Sequence, residues 1–143
     1  MNIWVNGVFD ILHTGHLDLL WYAKRYNTDG MDFPDVMRAN RLTVGIDSDA
    51  RVKWLKGDKR PINNQQDRAK MLGNLVMVDS VVIFHSDKEL RQFIEIFESD
   101  YLVIGDDYRD KLIIGAECTK SGVIYFPKND KSTTNIIEKI KAL

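Results

Sequence analysis

The stretch Asn6-Gly7-Val8-Phe9-Asp10-Ile11-Leu12-His13-Thr14-Gly15-His16 sets two imidazoles three residues apart with a glycine between them. Histidines a turn apart can bind zinc, but no Glu or Cys cluster at ligand spacing accompanies this pair, so a metal site lacks its partners. The context points instead to an anion. Residues 3–9 are an apolar run that reads as a buried strand, and Leu17, Leu20, Trp21 and Lys24 follow with helical spacing. A helix starting at the histidines turns free N–H groups and the positive end of its dipole toward whatever lies beyond the strand end. His13 and His16 add side-chain donors to the same anion, and Gly15, without a Cβ, lets a ligand approach the backbone. Triphosphate suits such a site.

Further along the chain, Ser132, Thr133 and Thr134 are N-cap candidates for a last helix, with Lys128 and Lys131 beside them, which makes a second anion site. The basic loop 56–63 (KGDKRPIN) reads either as a solvated charge run or as a flap over phosphate, with Lys56 the contact. Arg68 falls in a helix whose Leu72 and Leu75 face the core, so it is either a surface residue or a guanidinium aimed at substrate phosphate. The Gly105-Asp106-Asp107 turn is an acidic strand exit whose carboxylates suit magnesium, a ribose or a base amine. His85 has no such context and reads as structural. Two anion sites and no evident nucleophile or general base point to chemistry done by positioning and charge neutralisation. Nucleotidyl transfer fits: a phosphate oxygen of one substrate attacks an α-phosphorus in line, while protein donors and Mg²⁺ stabilise the departing pyrophosphate. The expected Mg²⁺ is held mainly by substrate phosphates.

The elements that must position these groups alternate. Strands are expected at 3–9, 41–47, 81–84, 101–105 and 122–126, and helices at about 16–26, around Arg51, Val52 and Leu55, at 64–75, at 88–97 and after Ser132. Residues 27–40 show no clear period and read as a surface insertion. Such alternation predicts an α/β fold, a Rossmann-like doubly wound five-stranded parallel sheet in a single domain over 1–143, with ligands at the carboxyl ends of the strands. A net charge of -1, from 20 Lys+Arg against 21 Asp+Glu, argues against bulk nucleic-acid binding. One cysteine, Cys118, forms no intrachain disulfide, and no apolar run approaches a membrane span, so a cytoplasmic location is expected. Trp4, Trp21 and Trp54 offer apolar surface for core or interface, with the core favoured on composition grounds.

GVFDILHTGH resembles the H-x-G-H motif of the cytidylyltransferase-like nucleotidyltransferase superfamily, and STTNII resembles its second, C-terminal phosphate-binding motif. In particular, NGVFDILHTGH, LKGDKRPIN followed by Arg68, the Val78-Asp79 pair and STTNIIEKI are similar to the adenylyltransferase domain that makes ADP-heptose from heptose 1-phosphate. The segment GDDYRDK is closer to glycerol-3-phosphate cytidylyltransferase, whose two arginine positions are here Val76 and the non-arginine stretch PKNDKST. The resemblance implies an enzyme in which His13 and His16 bind triphosphate and stabilise the transition state, with Lys56 contacting phosphate. Gly7, Phe9, Asp10, Gly15, Asp106, Ser132, Thr133 and Thr134 would form the nucleotide pocket, and Arg68 and Lys128 would take phosphate or acceptor. Its expected partners are an NTP, ATP before CTP, and a phosphorylated sugar or polyol; the family often forms homodimers, and the assembly of this chain stays open. A module that binds nucleotide without turning it over is the reading from another class.

Overall fold

The computed structural model describes residues 1–127 and 131–143. Strands β1 (Asn2–Gly7), β2 (Arg41–Asp47), β3 (Ser80–Phe84), β4 (Tyr101–Gly105) and β5 (Gly122–Phe126) form one parallel sheet in the order β3-β2-β1-β4-β5. The helices among the described residues are α1 (Thr14–Lys24), α2 (Phe33–Ala39), α3 (Asp49–Lys56), α4 (Gln65–Gly73), α5 (Asp87–Ile96) and α6 (Thr133–Lys141). The chain lays β2 and β3 on one side of β1, then returns to place β4 and β5 on the other. Successive crossovers thus diverge between β1 and β4, and the crevice of a doubly wound sheet opens there.

Strand alternation divides the core in two. Ile3 and Val5 of β1 and Leu42, Val44 and Ile46 of β2 point to one face, where they pack with Leu20 and Ala23 of α1 and Leu72 of α4. Trp4 points to the opposite face and packs with Phe84, Leu102, Leu90 and Ile94, the last two on α5. Trp4 needs Gly45: a Cβ there would lie 2.4 Å from Trp4 Cζ2. On the first face Lys24 is fully buried, and its ammonium donates to Asp79 Oδ2 and to the Asn40 carbonyl, both at 2.7 Å. Asp79 also accepts from the Leu42 N–H at 2.7 Å. One carboxylate therefore ties α1, β2 and the approach to β3 together, which accounts for the Val78-Asp79 pair as structure.

Three expectations are corrected. The segment 27–40 contains a helix, α2, whose period is hidden because only Val36 is buried; Pro34 in its first turn supplies a pre-set φ. Trp54 is 81% exposed on α3 rather than in the core, which holds only Trp4 fully. The first strand ends at Gly7 and α1 begins at Thr14, because residues 8–13 are given over to the turn described next. Among the described residues no helix is long and apolar enough to cross a membrane.

Candidate active site

The turn from β1 to α1 is built around the histidines. Phe9 and Ile11 adopt left-handed backbone, φ 53° and 49°, which non-glycine residues hold only where the surroundings enforce it. Gly7 leaves room for the Phe9 ring, since a Cβ would sit 3.1 Å from Phe9 Cε2, and that ring packs on the His16 imidazole with centroids 5.1 Å apart. His13 is the N-cap of α1. Its Nδ1 accepts from the Gly15 N–H at 3.1 Å, and His16 Nδ1 accepts from the His13 N–H at 3.3 Å, so the two side chains form a reciprocal capping box. The rings stack with centroids 3.8 Å apart.

This arrangement determines the proton positions. A neutral imidazole that accepts at Nδ1 carries its proton on Nε2, so each ring retains one donor for a ligand. Burial, with His13 beside it, pushes the His16 pKa down to about 4, against a smaller raising effect of Asp10. Burial and Lys131 lower that of His13. Both rings are neutral donors at pH 7. The expectation of free backbone N–H groups needs correction here, because the Gly15 and His16 amides are already bonded to His13.

A cleft of about 550 Å³ lies over the crevice. One wall comes from the β1–α1 turn, with Gly7, Phe9, Asp10, His13, Gly15 and His16. The opposite wall comes from β4, β5 and the start of α6, with Gly105, Asp107, Tyr108, Phe126, Lys131, Ser132, Thr133 and Thr134. Ser132 caps α6 by accepting from the Asn135 N–H at 3.0 Å, and the Thr133 hydroxyl donates to the Asp10 carbonyl. The two walls are therefore hydrogen-bonded to each other. From the β2 side come Asp47, Leu55, Lys56 and Arg60.

Lys56 ends α3 with its side chain exposed at the rim, one residue before Gly57 caps the helix with φ 98°. Asp10 lines the cleft as a strut: its carboxylate oxygens accept from the Ile62 and Asn63 N–H groups at 2.7 and 2.9 Å. Arg68 is corrected. Its guanidinium is buried, donating to the carbonyls of Asn63, Val8 and Asp47 and to Asp49 Oδ1, all within 3.0 Å, so it braces the strand ends and is not presented to a phosphate. Asp106 does not line the cleft, whereas Asp107 and Tyr108 do, since successive side chains of a 3₁₀ turn point in different directions. Lys128 lies outside the described residues. His85 is exposed and pairs with Glu89 at 3.2 Å, away from the cleft. Sequence reasoning missed Arg60. The loop holds Lys56, Lys59 and Arg60, and which cation turns inward depends on the bonds of Asp10 to Ile62 and Asn63, which local spacing does not encode.

Comparison with known proteins agrees with this geometry. The family model described as cytidylyltransferase-like matches residues 4–139. The chain is 44% identical over 139 residues to the bifunctional protein HldE of Campylobacter fetus and 42% identical over 139 residues to the HldE of Helicobacter pylori strain 26695. It covers 97% of itself in each case but only 28% and 27% of those relatives, so it spans about a quarter of their length. The crystal structure of the lipopolysaccharide core biosynthesis protein from Thermoplasma volcanium GSS1 superposes with a TM-score of 0.68 at 21% identity. That superposition covers 91% of this chain and 98% of the other, and at this identity it speaks for the fold. With the histidine pair, the capped α6 start and the cleft between them in place, the chain belongs to the cytidylyltransferase-like family of nucleotidyltransferases.

Proposed function

We propose that the chain transfers a nucleoside monophosphate from an NTP to a phosphorylated sugar or polyol, with ATP and a heptose 1-phosphate as the leading pair. The observation that carries this reading is the pair of neutral imidazoles, each with its Nδ1 used in capping and its Nε2–H left for an anion, facing the hydroxyl-rich start of α6. An acceptor phosphate oxygen attacks the α-phosphorus, the α–β anhydride bond breaks, and pyrophosphate leaves with the electron pair. Charge builds on the leaving group, where His13, His16 and the α6 start offer donors. No group of three or more His, Cys, Asp or Glu among the described residues could hold a metal, and the Asp10 and Asp47 carboxylates are occupied by amides and by Arg51. Such a donor set fits magnesium entering as the Mg·NTP complex, carried on phosphate oxygens.

The heptose reading is supported by the motif resemblance and by the relatives named HldE. Glycerol 3-phosphate with CTP is the second reading, favoured by the GDDYRDK segment, whose Asp107 and Tyr108 line the cleft. Pyrophosphate release measured with each NTP across a panel of sugar and polyol phosphates tests both. Turnover is expected with ATP and a heptose 1-phosphate. A preference for CTP with glycerol 3-phosphate would replace the leading pair by the second, and nucleotide binding without turnover on any acceptor would leave a silent binding module.

A further inference from the structure

We infer that Arg60 is a phosphate-binding residue at the acceptor end of the cleft, a role that rests on the reading of the reaction as transfer onto a phosphate group. The Arg60 side chain is only 17% exposed and its Nε is buried without a hydrogen-bond partner among the described residues. Asp10 Oδ2 lies 3.6 Å from that nitrogen, beyond hydrogen-bond distance, because the carboxylate is already held by the Ile62 and Asn63 amides. The other carboxylate of this wall, Asp47, is paired with Arg51 at 2.7 Å. A guanidinium N–H kept out of water without a hydrogen bond is costly to the folded chain, and such groups persist where a ligand completes them.

Position supplies the second half of the argument. The nucleotide crevice lies between β1 and β4, with the starts of α1 and α6 as its anion donors. Arg60 comes from the α3–α4 connection on the β2 side of β1, beside Leu55 and Lys56. A phosphate approaching from that side meets a planar fork whose geometry matches two of its oxygens, which fixes the third for attack; the exposed ammonium of Lys56 offers no such orientation. Asp10 is then a positioning residue, because by holding Ile62 and Asn63 it keeps Arg60 turned inward.

The test compares wild type with Arg60→Gln and Arg60→Lys. In pyrophosphate-release kinetics the KM for the phosphorylated acceptor is expected to rise about 10- to 100-fold in Arg60→Gln, the range for losing charge-assisted hydrogen bonds, while the KM for NTP changes little. Arg60→Lys should recover only part of this. A binding arm needs no turnover: with saturating Mg²⁺ and α,β-methylene ATP or CTP, inorganic phosphate should raise the melting temperature of wild type and not that of Arg60→Gln. Without ligands Arg60→Gln should melt close to wild type, since among the described residues Nε has no hydrogen bond and its only ion pair, to Asp10 at 3.6 Å, is long. A rise confined to the KM for NTP, an unchanged phosphate response, or a lowered unliganded melting temperature would overturn the assignment. If wild type turns over no acceptor, the proposed reaction fails while the phosphate arm still decides the role of Arg60.

Discussion

At the scale of single residues the site depends on histidines that do two jobs with two nitrogens. Each Nδ1 closes the first turn of α1, which puts the proton of each neutral ring on Nε2, and both histidines line the cleft. Protonation of His16 places a hydrogen on Nδ1 and breaks its half of the capping box. The native pKa of about 4 lies below the ordinary 6.5, so between those values the unfolded chain binds a proton that the native chain does not. The His16 contribution to stability is thus complete above about pH 6.5 and is lost as pH falls toward 4. Chemical denaturation across that range should show this slope, and His16→Ala should flatten it. The same variant should lower turnover by about 10²-fold or more, as expected for a donor to charge that develops in the transition state. Near-normal turnover would remove His16 from that role.

At the scale of elements, Arg68 shows how a helix can serve the site without touching substrate. It sits on α4 and reaches the carbonyls at the ends of β1 and β2 and of Asn63, so one guanidinium sets the height of both strand exits and of the Asp10-bound loop. Arg68→Ala should cost roughly 3 kcal/mol or more, because it leaves three carbonyls without their donor and opens a cavity. Urea denaturation measures this directly. Any loss of turnover should track the loss of fold, and at temperatures where the variant is folded its KM for the phosphorylated acceptor should stay near wild type. A well-folded variant with a selectively raised acceptor KM would return Arg68 to the binding role that its type and helix position suggest.

At the scale of the whole molecule the cleft joins parts of the chain that meet only on folding. The β1–α1 turn, the α3–α4 loop and the start of α6 converge on Asp10, which takes amides from residues 62 and 63 with its side chain and the Thr133 hydroxyl with its carbonyl. A ligand spanning these walls should therefore stabilise the molecule as a unit. At a concentration about 100 times its Kd, Mg·NTP is expected to add about 2.7 kcal/mol, a rise in melting temperature of roughly 5–10 °C for a chain of this size. Differential scanning fluorimetry with ATP and with CTP reads the shift and ranks the two nucleotides. The absence of a shift with either would speak against a nucleotide site.

Much of this was legible locally. Strand and helix positions follow from hydrophobic period, the α6 cap from Ser132 before a helical run, and the H-x-G-H and STTN segments from residue types at fixed spacing. All of these are interactions between near neighbours, which is why β4, β5 and the Ser132 cap fall where the residues place them. The α2 helix and the exposed Trp54 were not legible, since burial of a single residue leaves no period and an aromatic side chain does not announce its face. The sequence by itself determined the fold class and the H-x-G-H motif that marks the family. Only the tertiary structure decided which cations serve ligand and which serve fold. Arg68 is turned inward by carbonyls from residues 5 to 60 positions away, and Arg60 is held at the cleft by a carboxylate about fifty positions earlier. The two arginines lie eight positions apart in sequence and differ in role because long-range partners, not residue type, determine how much of each guanidinium is already bonded.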